Sequence, residues 1–90
     1  MYRFATTEQF WKQFYALQPA QMDRARAAWR IFKLDPFDPR LRTHKIHRLS
    51  AGLKRNVHAV VLEGDLRAAF FIEDGTVVSF AIGTHAIYKP

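Results

Sequence analysis

The stretch Gly83-Thr84-His85-Ala86-Ile87-Tyr88 sets an imidazole and a phenol just past an apolar strand. A histidine in that position is reachable from solvent, held by a rigid element, and able to take up or release a proton near neutral pH. Upstream, residues 39–62 hold Arg40, Arg42, Lys45, Arg48, Lys54 and Arg55 with no Asp or Glu among them. Acid/base groups beside a run of unopposed cations describe a site that binds a polyanion and moves protons on it.

Arg67 sits between Leu66 and Ala68 in an otherwise apolar strand. A guanidinium there needs a partner, because removing it from water unpaired is costly. A bound phosphate or a carboxylate from another protein would supply one. Asp65, two residues earlier, serves a Gly-Asp hairpin turn as readily as it serves catalysis. His44 and His47 are three residues apart, but no cysteine and no clear third ligand accompany them, so metal binding is not the main reading and no cofactor is expected. Arg26, Arg30 and Lys33 recur at helical spacing and read as a solvated helix face. Trp11, Phe14, Trp29 and Phe32 have the spacing of core residues.

The elements that must carry these groups follow from local pattern. Thr6 with Gln9 three residues on has the form of a capping box, and Phe10, Phe14 and Leu17 continue it, which predicts a helix over 7–17. Pro19 suits the first position of a second helix, whose buried face would carry Met22, Ala25, Trp29 and Phe32. Asp35-Pro36-Phe37-Asp38-Pro39 ends that helix, since each proline pushes its predecessor into extended backbone. Residues 40–56 show no clear periodicity and read as a partly extended basic connection anchored by Ile46 and Leu49.

From Val57 the pattern becomes that of strands: Val57–Glu63, Leu66–Glu73 and Thr76–Gly83. Gly64-Asp65 matches a type II′ turn and Asp74-Gly75 a type I′ turn, so a three-stranded antiparallel meander is predicted. Residues 2–5 offer a further strand to that sheet. Two-residue loops would set Glu63 against Leu66, Glu73 against Thr76, Arg67 against Ile82 and His58 against Phe71. Asp65, Arg67 and His85 then gather at one end of the meander.

Ninety residues make a single domain, 1–90, and the fold class expected is α+β, two N-terminal helices packed on a small antiparallel sheet. With no cysteine in the chain, packing alone must hold the core, and eight Phe, two Trp and three Tyr provide the means. Met1-Tyr2-Arg3-Phe4 lacks the long apolar stretch of a secretory signal, and no run approaches a membrane span, which predicts a soluble cytoplasmic protein. A net charge of +6 implies an acidic partner: nucleic acid, an anionic membrane or an acidic protein.

The order of these pieces resembles the RelE/ParE toxin superfamily of bacterial type II toxin–antitoxin systems, with the RelE and YafQ branch most similar. The resemblance runs through Phe10-Trp11, Phe32-Lys33-Leu34-Asp35-Pro36, Thr43-His44-Lys45-Ile46, Gly64-Asp65-Leu66-Arg67-Ala68 and the closing Ile82-Gly83-Thr84-His85-Ala86-Ile87-Tyr88. It implies a small ribonuclease that cuts mRNA in the ribosomal A site without a metal, neutralised by an acidic cognate antitoxin. The 2′-hydroxyl would attack the adjacent phosphorus and expel the 5′-oxygen, with a base, an acid and cations for the developing charge. On that resemblance His85 is the principal acid/base group, Arg67 holds the phosphate, and His44, Asp65 and Tyr88 assist. Lys45, Arg48, Lys54 and Arg55 would grip the RNA backbone.

Two positions depart from that pattern. A second strand arginine of RelE-like members has no counterpart at Ala81 or Ile82, and a YafQ-branch histidine falls at Val61. The chain thus mixes two catalytic sets, which leaves the division between acid and base open. A ParE-like inhibitor of gyrase on the same fold, and a non-toxic RNA-binding module, stay as alternatives.

Overall fold

The computed structural model describes residues 2–88, and His85 by its backbone alone. The chain runs β1 (Arg3–Thr6), α1 (Glu8–Tyr15), α2 (Pro19–Leu34), a 3₁₀ turn (Pro39–Leu41), β2 (His44–Lys45), α3 (His47–Leu53), β3 (Val57–Glu63), β4 (Leu66–Glu73), β5 (Thr76–Gly83) and a final 3₁₀ turn (His85–Tyr88). The five strands form one sheet in the order β1-β5-β4-β3-β2. The expected meander is its centre. The N-terminal strand does join, and it pairs in parallel with β5, so the sheet is mixed rather than wholly antiparallel. No helix among the described residues is long and apolar enough to cross a membrane.

The first helix starts one residue later than Thr6 would place it. Thr6 closes β1 against Ser79, and Thr7 takes over as cap, its hydroxyl accepting from the Phe10 amide at 3.2 Å. Phe10 and Phe14, one turn apart, are the buried face of α1. In α2, Pro19 stands at the start as expected and the Gln18 amide donates to the Gln21 side chain at 3.0 Å. That helix ends at Asp35, which the following proline holds in extended backbone.

Alternation along the strands gives the sheet two faces. On the first, α1 and α2 cover Val60, Leu66, Ala68, Phe70, Val77 and Ile82. Phe32 meets Phe70 edge to face with centroids 5.1 Å apart, an arrangement aromatic quadrupoles favour. On the second face a smaller cluster joins Leu49 of α3 to Val57, Ala69 and Ala81, with Ile46, Ile87 and Tyr88 packed on it. Both anchors expected in the basic connection, Ile46 and Leu49, lie there.

That connection is not simply extended. It contains α3, which has no polar side-chain cap and only seven residues, too few to be stable alone. Its support comes from outside the helix. The Ser50 hydroxyl donates to the Ile46 carbonyl at 2.8 Å and accepts from the Val57 amide at 2.9 Å, tying the helix to the start of β3.

Two bulges change the expected register. Glu63 opposes Leu66 and Glu73 opposes Thr76, as two-residue turns require, with positive φ at Gly64, Asp74 and Gly75. Beyond Leu62, however, the β3–β4 pairing shifts, so His58 opposes Phe70 rather than Phe71. A second shift at Phe80 sets Arg67 opposite Gly83 rather than Ile82.

His58 therefore lies on the helical face, stacked on Phe70 and met edge-on by Phe37. Its Nδ1 is buried without a protein hydrogen-bond partner. Burial, and then the charges of Lys45 and His44, hold its pKa below the ordinary histidine value. The unfolded chain consequently binds the proton more readily, and stability falls as pH drops through the ordinary range near 6.5 towards the lower folded pKa. His58→Phe should flatten that acid-side fall; thermal melting across pH checks it, and an unchanged slope would contradict it.

Candidate active site

The bulge at Phe80 decides what stands across from Arg67. With an extra residue in β5, Phe80 and Ala81 both serve the second face and Ile82 returns to the helical core. Glycine then opposes the guanidinium-bearing residue. Past the end of β1, the Ile82 amide donates to Gln13 Oε1 of α1 at 3.0 Å, which fixes this end of β5 to the first helix.

Because Gly83 has no side chain, the final turn can fold down onto the sheet. A Cβ at Gly83 would come within 3.0 Å of Ile87 Cγ2. Ile87 and Tyr88 instead close over the second face beside Ala69 and Ala81. Gly83→Ala is expected to leave the fold intact, lower the melting temperature slightly and displace this turn. If the turn carries the chemistry, activity should fall by about 10- to 100-fold, since a displacement near 1 Å at a reacting centre costs that order. Equal activity in a folded Gly83→Ala protein would separate the turn from the site.

Arg67 is half-buried, between Val61 on β3 and Gly83 on β5. Its Nη1 donates to the Gly64 carbonyl and, at 3.3 Å, to that of Leu66, which bends the guanidinium towards the β3–β4 turn. Asp65 is in that turn. Tyr88 arrives from the final turn: burial raises its pKa above the ordinary tyrosine value, the charge and hydrogen bond of Arg67 oppose that rise, and the Asp65 carboxylate adds to it. Arg67 and Asp65 are thus each within electrostatic reach of Tyr88. A phenol so perturbed stays protonated at neutral pH and acts as a hydrogen-bond donor, not as a phenolate base.

The remaining expected members are placed differently. The backbone of His85 begins the final turn, two residues past Gly83, while its side chain lies outside the described residues. His44 pairs with Ala59, which pairs with Ala69, so it projects to the same face as Arg67. It is not in contact with it. Two strand spacings and two residues separate their backbones, on the order of 12 Å, and Nδ1 of His44 is held by the Arg42 carbonyl at 2.8 Å. Its exposed position leaves the other ring nitrogen towards solvent.

Among the expected RNA-gripping residues, Lys45 is on the edge strand β2, Arg48 is exposed on α3, and Lys54 and Arg55 follow that helix. Arg55 lies over the Phe71 ring at 4.3 Å and pairs with Glu73 at 3.6 Å. Arg40 is likewise engaged: Asp38 accepts from its backbone and side chain, and that pairing holds the Asp38 carboxyl at about 2. Among the described residues Arg42, Lys45, Arg48 and Lys54 make no ion pair. No three His, Asp or Glu among the described residues are grouped to hold a metal ion. A hollow on the helical face, between Phe10, Trp11, Trp29 and Leu62, has no carboxylate or imidazole in its lining, so the proton chemistry does not belong there.

Solved structures share this fold. YafQ from Escherichia coli strain BL21(DE3) superposes with a TM-score of 0.75 over 100% of both chains at 16% identity. RelE from the archaeal RelE–RelB complex of Pyrococcus horikoshii OT3 gives 0.70, covering 92% of this chain and 93% of that one at 16% identity. The fold is the RelE-like toxin fold. YafQ in the E. coli DinJ–YafQ complex gives 0.72 over 97% of each chain at 18% identity. No protein-family profile matches the sequence, and no curated protein does. Sequence reasoning missed α3, the parallel pairing of the first strand and the bulge in β5. Only Gly83, a glycine ending an apolar strand, signalled the last of these.

Proposed function

We propose that this chain is the toxin of a type II toxin–antitoxin system, an endoribonuclease that cleaves mRNA on the ribosome and so stops translation. The observation that carries the reading is that Arg67 and Asp65 both act electrostatically on Tyr88, in the turn that begins with His85. The likeness of fold to RelE and YafQ supports it, as do Arg42, Lys45, Arg48 and Lys54, which make no ion pair among the described residues.

In this mechanism a 2′-oxygen attacks the adjacent phosphorus while its proton passes to a base, and the P–O5′ bond breaks as the leaving oxygen gains a proton. The products are a 2′,3′-cyclic phosphate and a 5′-hydroxyl. His85 is the principal proton carrier, and His44, on the same face, is the second candidate. Arg67 faces the phosphoryl oxygens, where negative charge grows, and a fixed cation in a partly dry site stabilises it. Tyr88, kept neutral, donates to the same oxygens or stacks on a base. Asp65 positions Arg67 and Tyr88. No step needs a cofactor. Action at the ribosome places the protein in the cytoplasm.

The partner that restrains it is an acidic antitoxin, suited to a chain of net charge +6. RelE with RelB and YafQ with DinJ are held in such complexes in the similar structures. Induced expression followed by mapping of mRNA 5′ ends tests the function: growth arrest with new ends confined to translated frames supports it. Arrest without cleavage but with loss of gyrase supercoiling in vitro would replace it by the ParE-like alternative, and RNA binding without arrest by a simple binding module.

A further inference from the structure

The outer side of β5 changes partner halfway along. Residues 76–79 pair with β1, from Arg3 to Thr6. Beyond Ser79 the chain of β1 has already turned into α1, so among the described residues 80–83 keep a strand neighbour only on the β4 side. The bulge at Phe80 falls in that stretch and disrupts the ladder locally. Backbone groups there need partners from outside the sheet.

Helix α1 supplies them. The Thr7 amide donates to the Ser79 carbonyl at 3.0 Å, the Thr7 hydroxyl donates to the Phe80 carbonyl at 3.5 Å, and Gln13 Oε1 accepts from the Ile82 amide at 3.0 Å. The direction of Gln13 is set by its neighbours. Phe10 and Phe14 are buried in the same core as Ile82, so α1 cannot roll about its axis without exposing both rings. Ile82 is thus held twice, by its side chain in the core and by its amide on Gln13. Next comes Gly83, opposite Arg67, and a glycine does little to restrict its own backbone. On the helical side, therefore, the start of the final turn is fixed at Ile82.

From this geometry we infer that Gln13 is a positioning residue for the reaction. From α1 it fixes the bulged end of β5, and with it the turn that begins with His85 and brings Tyr88 to Arg67. This role rests on the nuclease reading and adds to it a residue that acts through Ile82 rather than on the substrate. A bond that only satisfied a stray amide would matter to stability alone. This one ties the last fixed point before the turn to a helix 69 residues away in sequence, so the turn takes its place from the docking of α1.

Three substitutions test it. Gln13→Met has a similar length and loses the carbonyl acceptor, Gln13→Asn keeps the amide group on a stem too short to reach, and Gln13→Glu keeps an oxygen acceptor at the same reach. On ribosomes stalled at a defined message, Gln13→Met and Gln13→Asn should lower kcat by about 10- to 100-fold with KM unchanged, the order of loss from displacing a reacting centre by about 1 Å. Gln13→Glu should restore most of that rate. Amide hydrogen exchange reads the same bond without substrate. Protection should fall in the first two variants and survive in Gln13→Glu at Ile82, and also at Ile87, whose amide donates to the Thr84 carbonyl within the turn at 3.0 Å. Protection lost at Ile82 with kcat unchanged makes the bond purely structural and overturns the role, as does a loss of kcat that Gln13→Glu fails to restore. If wild type cuts no message, the nuclease reading fails and exchange at Ile87 decides alone: lowered protection in both breaking variants keeps Gln13 as the residue that places the turn, and unchanged protection overturns it.

Discussion

His85→Ala abolishes growth inhibition and lowers mRNA cleavage by about 10²- to 10⁴-fold while the melting curve stays that of wild type. That range is what a positioned proton carrier contributes, and it corresponds to about 3 to 5.5 kcal/mol of barrier. The His85 backbone opens the final turn two residues beyond Gly83, and Gly83 is the residue opposite Arg67, so the two backbones are close at this sheet end. Quantifying cleaved message by primer extension on translating extracts checks the loss. Full toxicity in a well-folded variant would transfer the acid/base role to His44, whose own alanine variant must then be the silent one.

Arg67→Gln is expected to cost about 10²- to 10³-fold in cleavage rate, the usual loss when one donor to a developing oxyanion is removed. Glutamine retains a donor for the Gly64 carbonyl, so the β3–β4 turn should hold. Losing the positive charge also removes what opposes the upward shift of the Tyr88 pKa, so that phenol should titrate higher still. Titration of tyrosinate absorbance in the variant reads this directly. A rate loss with no change in the Tyr88 titration would place Arg67 at the phosphate alone. Neither change would remove it from the site.

Where the chain marks its own turns, the fold was legible. Gly64-Asp65 and Asp74-Gly75 supply the positive φ that two-residue hairpins need, and those turns locate three strands to the residue. Pro19 and Pro36 likewise bound α2. The bulges carried no such mark. In Ser79-Phe80-Ala81-Ile82 every residue is at home on a strand, and whether Ala81 or Ile82 enters the core is settled by the helices above and by Gln13 bonding to the Ile82 amide. For the same reason α3 was hidden: its stability comes from Ser50 bonding to β3 and Leu49 packing on the sheet, contacts distant from any local pattern.

The candidate site divides along the same line. Gathering Asp65 and Arg67 needed only the turn, and Tyr88 needed only that the last residues fold back. The residue opposite Arg67 depended on a tertiary event, and the change from Ile82 to Gly83 matters because an isoleucine there would fill the space that the final turn now occupies. His44 shows the other limit. Its place on the second face follows from pairing with Ala59, yet β2 has only two residues and no pattern of its own to announce a strand.

The central claim is that this sheet end performs a 2′-hydroxyl attack on mRNA, and the chemistry of the cut ends tests it most directly. Purified protein is added to ribosomes stalled on a defined message, and the new termini are assayed by enzymatic labelling. The account predicts a 2′,3′-cyclic phosphate upstream and a 5′-hydroxyl downstream, in undiminished yield when chelator is present. A 5′-phosphate facing a free 3′-hydroxyl, or an intact message, would contradict it.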